Sequence, residues 1–265
     1  MIFAKVETAG SGAAVANDRR SAGEDARRAA AVVWRFRAKA ELEAAARFRW
    51  LAGELAAVGA VQPVIAMAAE AADDELRHAA QCVELVHALG GEEFEGDAKL
   101  AVPSGFRAAA PAGLGRRERL LYEVIAMACI TETLSAALLG EMVERAADEG
   151  VGKAMQAILR DEVNHARLGW AHLAAESQRD PASVLFLGDY LPAMLAGTVQ
   201  DELFGTSAEH GASEALNGLG ALDRSSRRRI FEGSLRLVVF PGLKRFGVDI
   251  TAGERWLEER GRSIG

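Results

Sequence analysis

Apolar residues recur every three or four positions along most of the chain, which is the spacing that makes one face of an α-helix apolar. Alanine is abundant and β-branched runs are short, so the fold is predicted to be all-α. Glycine and proline mark the ends of four long periodic segments. These predicted helices run from about Ala22 to Val58, Pro63 to Leu89, Arg116 to Asp148 and Val151 to Gln178.

The segments around these helices complete the predicted organisation. Residues 1–20 are rich in Gly, Ala and Ser without any period, which is typical of a flexible N-terminal arm. The connection from Gly91 to Gly115 contains prolines and glycines and is long enough to cross from one end of a bundle to the other. Further helices are predicted at about Ser183–Leu203, at about Asp223–Lys244 with an interruption at Pro241, and after Gly253.

We therefore predict one helical domain over residues 21–265. Its core bundle covers residues 21–179, and a helical extension over residues 180–265 packs outside that core. At 265 residues the chain is long enough to bury a full core without splitting into two domains.

Each long helix carries a glutamate on its apolar stripe, and two of the helices add a histidine three residues later. A Glu and a His at this spacing point the same way from one helix face and can hold a metal ion between them. Each Glu-x-x-His follows a glutamate on the preceding helix by roughly 30 residues, so the chain contains two helical hairpins of the same plan. The six candidate ligands are Glu41, Glu75, His78, Glu132, Glu162 and His165.

The helical phase selects these glutamates over their neighbours. At about 100° per residue, Glu43 lies roughly 200° from Glu41 and belongs to the polar face. Glu123 and Glu141 are each nine residues from Glu132, which predicts that they lie on the opposite side of the same helix. Only Glu132 is therefore expected to point inward.

The charge of these positions predicts a pair of metal ions. Burying an uncompensated carboxylate is strongly unfavourable, and we find no lysine or arginine in register with the glutamates on these stripes. Two divalent cations would balance four carboxylates. Because the ligands are mainly oxygen with one nitrogen per ion, the set favours iron or manganese over structural zinc.

Two aspartates precede the Glu-x-x-His pairs directly. A metal-bound histidine usually donates its second N–H to a carboxylate. We predict that Asp74 contacts His165 and that Asp161 contacts His78, each across the bundle. The alternative is that both are ordinary surface acids.

The charge and the cysteine content indicate in which cellular compartment the protein works and which classes of partner it lacks. A formal net charge of −7 and a pI near 5.4 argue against a nucleic-acid-binding protein. The two cysteines, Cys82 and Cys129, both lie on apolar stripes, which fits free thiols in a reducing cytosol. With neither a signal sequence nor an apolar run expected to span a bilayer, the protein is predicted to be cytoplasmic, without a membrane partner.

The motifs resemble those of the ferritin-like di-iron carboxylate superfamily, including its little-characterised bacterial members. The resemblance rests on Glu41, the runs Asp74–Ala79, Cys129–Leu134 and Asp161–Ala166, and the C-terminal Phe240–Leu243. It implies a ferritin-like four-helix bundle with a long crossover between helices 2 and 3 and additional C-terminal helices. It also implies two iron ions, with manganese as the alternative, and O₂ as co-substrate.

The same resemblance implies an oxidase or oxygenase that acts on a small organic substrate. Electrons would come from an external donor, because no flavin, nicotinamide or iron–sulfur motif is visible. A closed apolar cavity that reaches the metals would favour this function. The alternatives are a ferroxidase or other iron-handling protein, or a scaffold that retains its metals without catalysis; a homodimer is compatible with all three.

At several positions this sequence differs from well-defined groups within the superfamily, and these differences bear on which group it resembles. Arylamine N-oxygenases carry a third histidine where this chain has Ile158, and ribonucleotide reductase small subunits carry a radical tyrosine where it has Cys82. Multicomponent monooxygenases share a cysteine at that position but carry threonine where this chain has Ala136. The candidate pocket residues are Cys82, Phe48, Ala136 and His172. For Cys82 a packed core thiol, and for His172 a hydrogen-bonded core histidine, are the alternatives.

Overall fold

The computed structural model describes residues 11–91, 110–204 and 214–262. Helices make up nearly all of this part of the chain, and none of it forms a β-strand. The all-α prediction is confirmed.

Four long helices form the first two thirds of the molecule: α1 Ser11–Ala57, α2 Gln62–Ala88, α3 Arg116–Arg145 and α4 Glu149–Arg179. Most of their ends lie within a few residues of the predicted ones. The exception is the start of α1, which includes residues 11–20 of the predicted flexible arm. Residues 1–10, and most of the predicted crossover between α2 and α3 (92–109), lie outside the described residues.

Local chemistry sets the ends of these helices. Gly59 (φ 67°) and Gly90 (φ 78°) adopt the left-handed conformation directly after α1 and α2, where a side chain would be strained. Pro63 occupies the first turn of α2, where its missing N–H is not needed. The side chain of Asp148 accepts a hydrogen bond of 3.0 Å from the Val151 N–H and so caps the start of α4.

The middle of α3 is not α-helical. Residues Ile125–Glu132 form a π-helical segment, which closes wider turns than an α-helix and advances less per residue around the axis. The predicted phase of α3 therefore fails on the N-terminal side of Glu132. Glu123, expected to face solvent, is buried, and its Oε1 accepts a hydrogen bond of 3.1 Å from the Ala110 N–H.

The C-terminal extension is made of short helical elements. Leu187–Thr198 (α5) and Gln200–Phe204 (α6) replace the single helix predicted between Ser183 and Leu203. The interruption predicted at Pro241 is instead a π-helical segment, Leu235–Val239, that ends just before it. The other elements are a 3₁₀ turn at Pro181–Val184 and the helices Glu214–Asn217 (α7), Arg224–Ser234 (α8), Phe240–Arg245 (α9) and Thr251–Arg262 (α10).

The extension packs against α3 and α4. Leu191 of α5 and Phe240 of α9 belong to the same buried apolar cluster as Ile130 of α3 and Leu173 of α4. Within the bundle, Gly169 lets α4 approach α3 closely, because a Cβ at this position would lie only 2.7 Å from the Cys129 Sγ. The extension thus covers the far side of α3, while the glutamate-bearing faces of the four long helices turn toward one another.

The helix α3 is more apolar than the sequence pattern predicts. An 18-residue window within α3 has a mean hydropathy of 1.5 and so passes, by length and composition, for a membrane span. However, 67% of that window is buried inside the structure. A core helix of a helical bundle passes the same test, so the criterion is only weak support for a membrane span.

Candidate metal centre

The six side chains singled out by helical phase converge between the four long helices. All six are buried, and they form two groups of potential ligands whose donor atoms lie within 4.8 Å of one another. Glu75 and Glu162 belong to both groups, so the two groups share one pair of carboxylates. The first group is Glu41, Glu75, His78 and Glu162, and the second is Glu75, Glu132, Glu162 and His165.

In both histidines the Nδ1 atom faces the shared glutamates. His78 Nδ1 lies 3.2 Å from Glu75 Oε2 and 4.0 Å from Glu162 Oε1. His165 Nδ1 lies 3.1 Å from Glu75 Oε1 and 3.6 Å from Glu162 Oε2. The two imidazoles are thus placed almost equivalently with respect to the same pair of carboxylates.

The other imidazole nitrogens contact the two aspartates. His78 Nε2 is 3.2 Å from Asp161 Oδ2, and His165 Nε2 is 3.2 Å from Asp74 Oδ2. This is the crossed arrangement that the sequence predicts. Arg77 joins the aspartates on the outside, 2.5 Å from Asp74 and 3.3 Å from Asp161. In the neutral form with the proton on Nε2, each histidine would donate to an aspartate and direct its Nδ1 lone pair toward the glutamates.

The carboxylates are close enough to perturb one another strongly. Burial raises the pKa of Glu75 well above its usual value, and the neighbouring Glu162 and Glu41 raise it further. Burial likewise raises the pKa of Glu132, with Glu162 and Glu75 adding to the effect. The pKa of Glu162 shifts the other way. Burial raises it, but hydrogen bonds with His165 and Glu132 have the larger combined effect and lower the pKa of Glu162 to about 2.

His165 retains its proton in the same cluster. Burial lowers its pKa, but hydrogen bonds and attraction from Glu162 and Glu75 prevail and raise it to about 11. We interpret these opposite shifts as one coupled network, in which protons held by Glu75, Glu132 and His165 offset part of the negative charge.

The donor atoms around Glu75 and Glu162 have spacings that are compatible with bound metal ions. Glu162 Oε2 and His165 Nδ1 are buried and lie 3.6 Å apart. Two adjacent ligands of one ion, each about 2.1 Å from it, are separated by about 3 Å. The distances from Glu75 to His78 Nδ1 and to His165 Nδ1, 3.2 and 3.1 Å, fall near this value.

Two arginines of α1 accompany the cluster, which corrects the expectation that no basic residue lies in register with the glutamates. Arg37 Nε donates to Glu41 Oε1 at 3.1 Å, four residues along the same helix. Burial lowers the pKa of Arg47, and attraction to Glu132 and Glu123 opposes this. The four-residue spacing from Arg37 to Glu41 is the signal in the sequence that could have revealed the first pair.

The four candidate pocket residues have different surroundings. The ring of Phe48 is buried, 5.2 Å from the His165 ring between centroids, whereas Ala136 is half-buried. Cys82 is fully buried, and burial together with the nearby Glu41 raises its pKa, so the thiol stays protonated. His172 is also buried, and neither of its ring nitrogens has a hydrogen-bond partner among the residues that the structure describes.

A second buried ionic group, which the sequence does not predict, lies about three turns beyond His165 along α4. Glu176 accepts two hydrogen bonds of 2.6 Å from Arg117, which also donates to the Val58 carbonyl. Burial opposes charge on Glu176, but the hydrogen bonds from Arg117 and Arg179 lower its pKa overall. This arrangement ties α3 to α4 and to the end of α1.

A cavity of about 320 Å³ lies between α1 and α3. Four of its seven lining residues are charged and none of them is a candidate ligand, so it differs from a closed apolar cavity that reaches the metals. Its lining residues are Trp50, Glu54, Ala110, Arg116, Arg119, Leu120 and Glu123.

Fold and site together define an all-helical protein with two overlapping clusters of buried glutamate and histidine that could hold metal ions. Compared with family models, curated proteins and solved structures, the chain gives no match.

Proposed function

We propose that the protein is a ferritin-like dimetal oxidoreductase that binds two iron ions and uses O₂ to oxidise a small organic substrate. The observation that carries this proposal is the sharing of Glu75 and Glu162 between the two groups of ligands. Glu75 and Glu162 would thus be available as ligands to both ions, which suits the ferritin-like arrangement of two glutamates and two Glu-x-x-His pairs.

The residues have distinct roles in this proposal. Glu41 and His78 complete one ion position, and Glu132 and His165 complete the other. Asp161 and Asp74 hold the histidines with Nδ1 directed inward. Arg77 in turn holds the two aspartates and keeps them on the outside of the cluster.

Iron bound at such a site supplies the one-electron chemistry needed to reduce O₂. The protein's contribution is to bring the ions together among oxygen ligands and to restrict water. The apolar ring of Phe48 packs beside His165, and both are fully or almost fully buried. The protons on Glu75, Glu132 and His165 would leave when the ions bind, because each of these groups must be deprotonated to act as a ligand.

The experiment is anaerobic loading with Fe(II), followed by metal counting and exposure to O₂ with optical monitoring. We expect two irons per chain and a transient visible absorption after mixing with O₂. A protein that binds no iron and whose stability is unchanged by Fe(II) would overturn the proposal.

The same experiment distinguishes iron handling from substrate oxidation. Continued uptake of iron beyond two ions per chain, together with a large cage on gel filtration, would favour a ferroxidase. Stable binding of two ions without any reaction with O₂ would leave a scaffold that retains its metals.

A further inference from the structure

The cluster of six candidate ligands is least buried at its residues on α1 and α3. Glu41 and Glu132 keep 6% and 5% of their surface exposed, whereas Glu75 and Glu162 keep 1% each. The residues of α3 that follow Glu132, from Ser135 to Leu138, are also half-buried. A ligand approaching from solvent therefore meets the cluster between α1 and α3.

Arg37 stands on this side, one turn from the cluster. Its side chain is 16% exposed, and its Nε donates to Glu41 Oε1 at 3.1 Å. Its two Nη groups make weaker contacts with α3: Nη2 is 3.4 Å from Ser135 Oγ, and Nη1 is 3.8 Å from the Met142 Sδ. A thioether is a weak acceptor, so the outer edge of this guanidinium still has donors to offer.

A largely buried guanidinium with weakly occupied donors is unfavourable unless an acceptor completes it. The planar edge formed by Nη1 and Nη2 matches the two oxygens of a carboxylate. The hydroxyl of Ser135, already beside Nη2, can donate to the same group.

From these contacts we infer that Arg37 and Ser135 bind the carboxylate of a small organic anion that reaches the cluster between α1 and α3. This inference rests on the proposed function, and it names the class of substrate. Metal ions strengthen such binding, because they draw the negative charge of Glu41 away from Arg37. Anion affinity and metal occupancy are then coupled.

The test uses the full-length protein loaded with Mn(II), so that no turnover occurs, and calorimetric titration with benzoate. Benzamide is the matched probe, since it has nearly the same shape but no charge. A charge-assisted contact of this kind predicts a preference for benzoate of about tenfold or more. We expect the metal-free protein to bind benzoate more weakly than the loaded protein.

Variants assign the effect to Arg37. Arg37→Gln should abolish the preference for benzoate, and Arg37→Lys should keep only part of it. Arg49→Gln, which removes an exposed arginine of the same helix, should leave it unchanged. Ser135→Asp is an independent variant, because an aspartate beside the guanidinium would occupy Arg37 and block benzoate even if Arg37→Gln fails to fold.

Two results would overturn the inference: equal affinity for benzoate and benzamide, or full benzoate affinity in Arg37→Gln, which would mean that the ions themselves hold the carboxylate. Metal counting precedes each titration. A wild-type protein that binds no Mn(II) or Fe(II) would contradict the proposed function, whereas two bound ions with no role for Arg37 would contradict this inference alone.

Discussion

Asp74 of α2 lies 3.2 Å from His165 of α4, between Oδ2 and Nε2, and Asp161 of α4 makes the same contact with His78 of α2. The two helices thus exchange equivalent hydrogen-bonding groups across the bundle. Each histidine is oriented by the helix that it faces, so neither half of the cluster is assembled by a single hairpin.

Replacing one of these aspartates should weaken metal binding without removing a ligand. We expect Asp161→Asn to lower the affinity for Fe(II) or Mn(II) by about 10- to 100-fold, because His78 loses the carboxylate that orients its ring. Equilibrium titration with Mn(II) would measure this. Asp73→Asn is the matched control, since Asp73 is exposed and pairs only loosely with Arg49 at 3.8 Å; equal losses in both variants would contradict an orienting role for Asp161.

Because the two groups share ligands, replacing different glutamates should change the number of bound metal ions by different amounts. Glu75→Gln should eliminate binding of both ions, because Glu75 belongs to both groups, whereas Glu41→Gln should retain one ion at the position formed by Glu132 and His165. Metal analysis after gel filtration would count the ions. Glu43→Gln, two residues from Glu41, serves as control and should keep both. If Glu41→Gln and Glu75→Gln lost the same number of ions, the two positions would not share Glu75.

The buried His172 should make stability depend on pH. Burial lowers its pKa to about 4, with Glu176 opposing this and Arg117 adding to it. The unfolded chain, with an ordinary histidine pKa near 6.5, gains a proton first as the pH falls, so stability is lost between about pH 6.5 and pH 4. Over this range the loss approaches about 3 kcal/mol.

Chemical unfolding of the metal-free protein at several pH values tests this. We expect His172→Leu to remove that part of the pH dependence and to stabilise the protein more at pH 5 than at pH 8. Since neither ring nitrogen of His172 has a hydrogen-bond partner in the described part of the chain, the variant leaves no polar group unsatisfied there. The same pH profile in wild type and variant would show that His172 is not held neutral in the folded protein.

The close approach of α3 and α4 predicts a steric effect at Gly169. An added Cβ would lie 2.8 Å from the Cys129 backbone nitrogen and 2.9 Å from the Ala128 Cβ. We expect Gly169→Ala to destabilise the protein by about 1–3 kcal/mol through overpacking. Gly140→Ala in α3 meets nothing within 4 Å and should instead stabilise by about 0.5–1 kcal/mol. Thermal unfolding of both variants would compare them; a neutral or stabilising Gly169→Ala would contradict the packing.

Much of the architecture follows from patterns that are local in the sequence. The apolar stripes, together with Gly59, Pro63 and Gly90, predict helix ends close to those observed. The Glu-x-x-His spacing places Glu75 beside His78 on one face of one helix, whatever the rest of the chain does. Such features depend on interactions between residues a few positions apart.

A constant 100° per residue no longer predicts which side of the helix a residue faces once the helix changes from α to π. Glu123 was assigned to the solvent side of α3, yet the π-helical segment between it and Glu132 rotates it into a buried position. The run Ile125–Glu132 contains no proline or glycine that would mark this change, and its buried residues pack against α4 and the C-terminal helices. The roles of Arg37 and His172 were likewise decided by neighbours on other helices.

By itself, the sequence determined that the chain is helical, which faces of the long helices are apolar, and which glutamates and histidines occupy those faces. These properties follow from the geometry of a single helix. Only the tertiary structure decided that the six side chains meet as two groups sharing Glu75 and Glu162, and that Ser135 of α3 lies beside Arg37 of α1. Distances between helices depend on how their side chains pack together, and no local pattern specifies them.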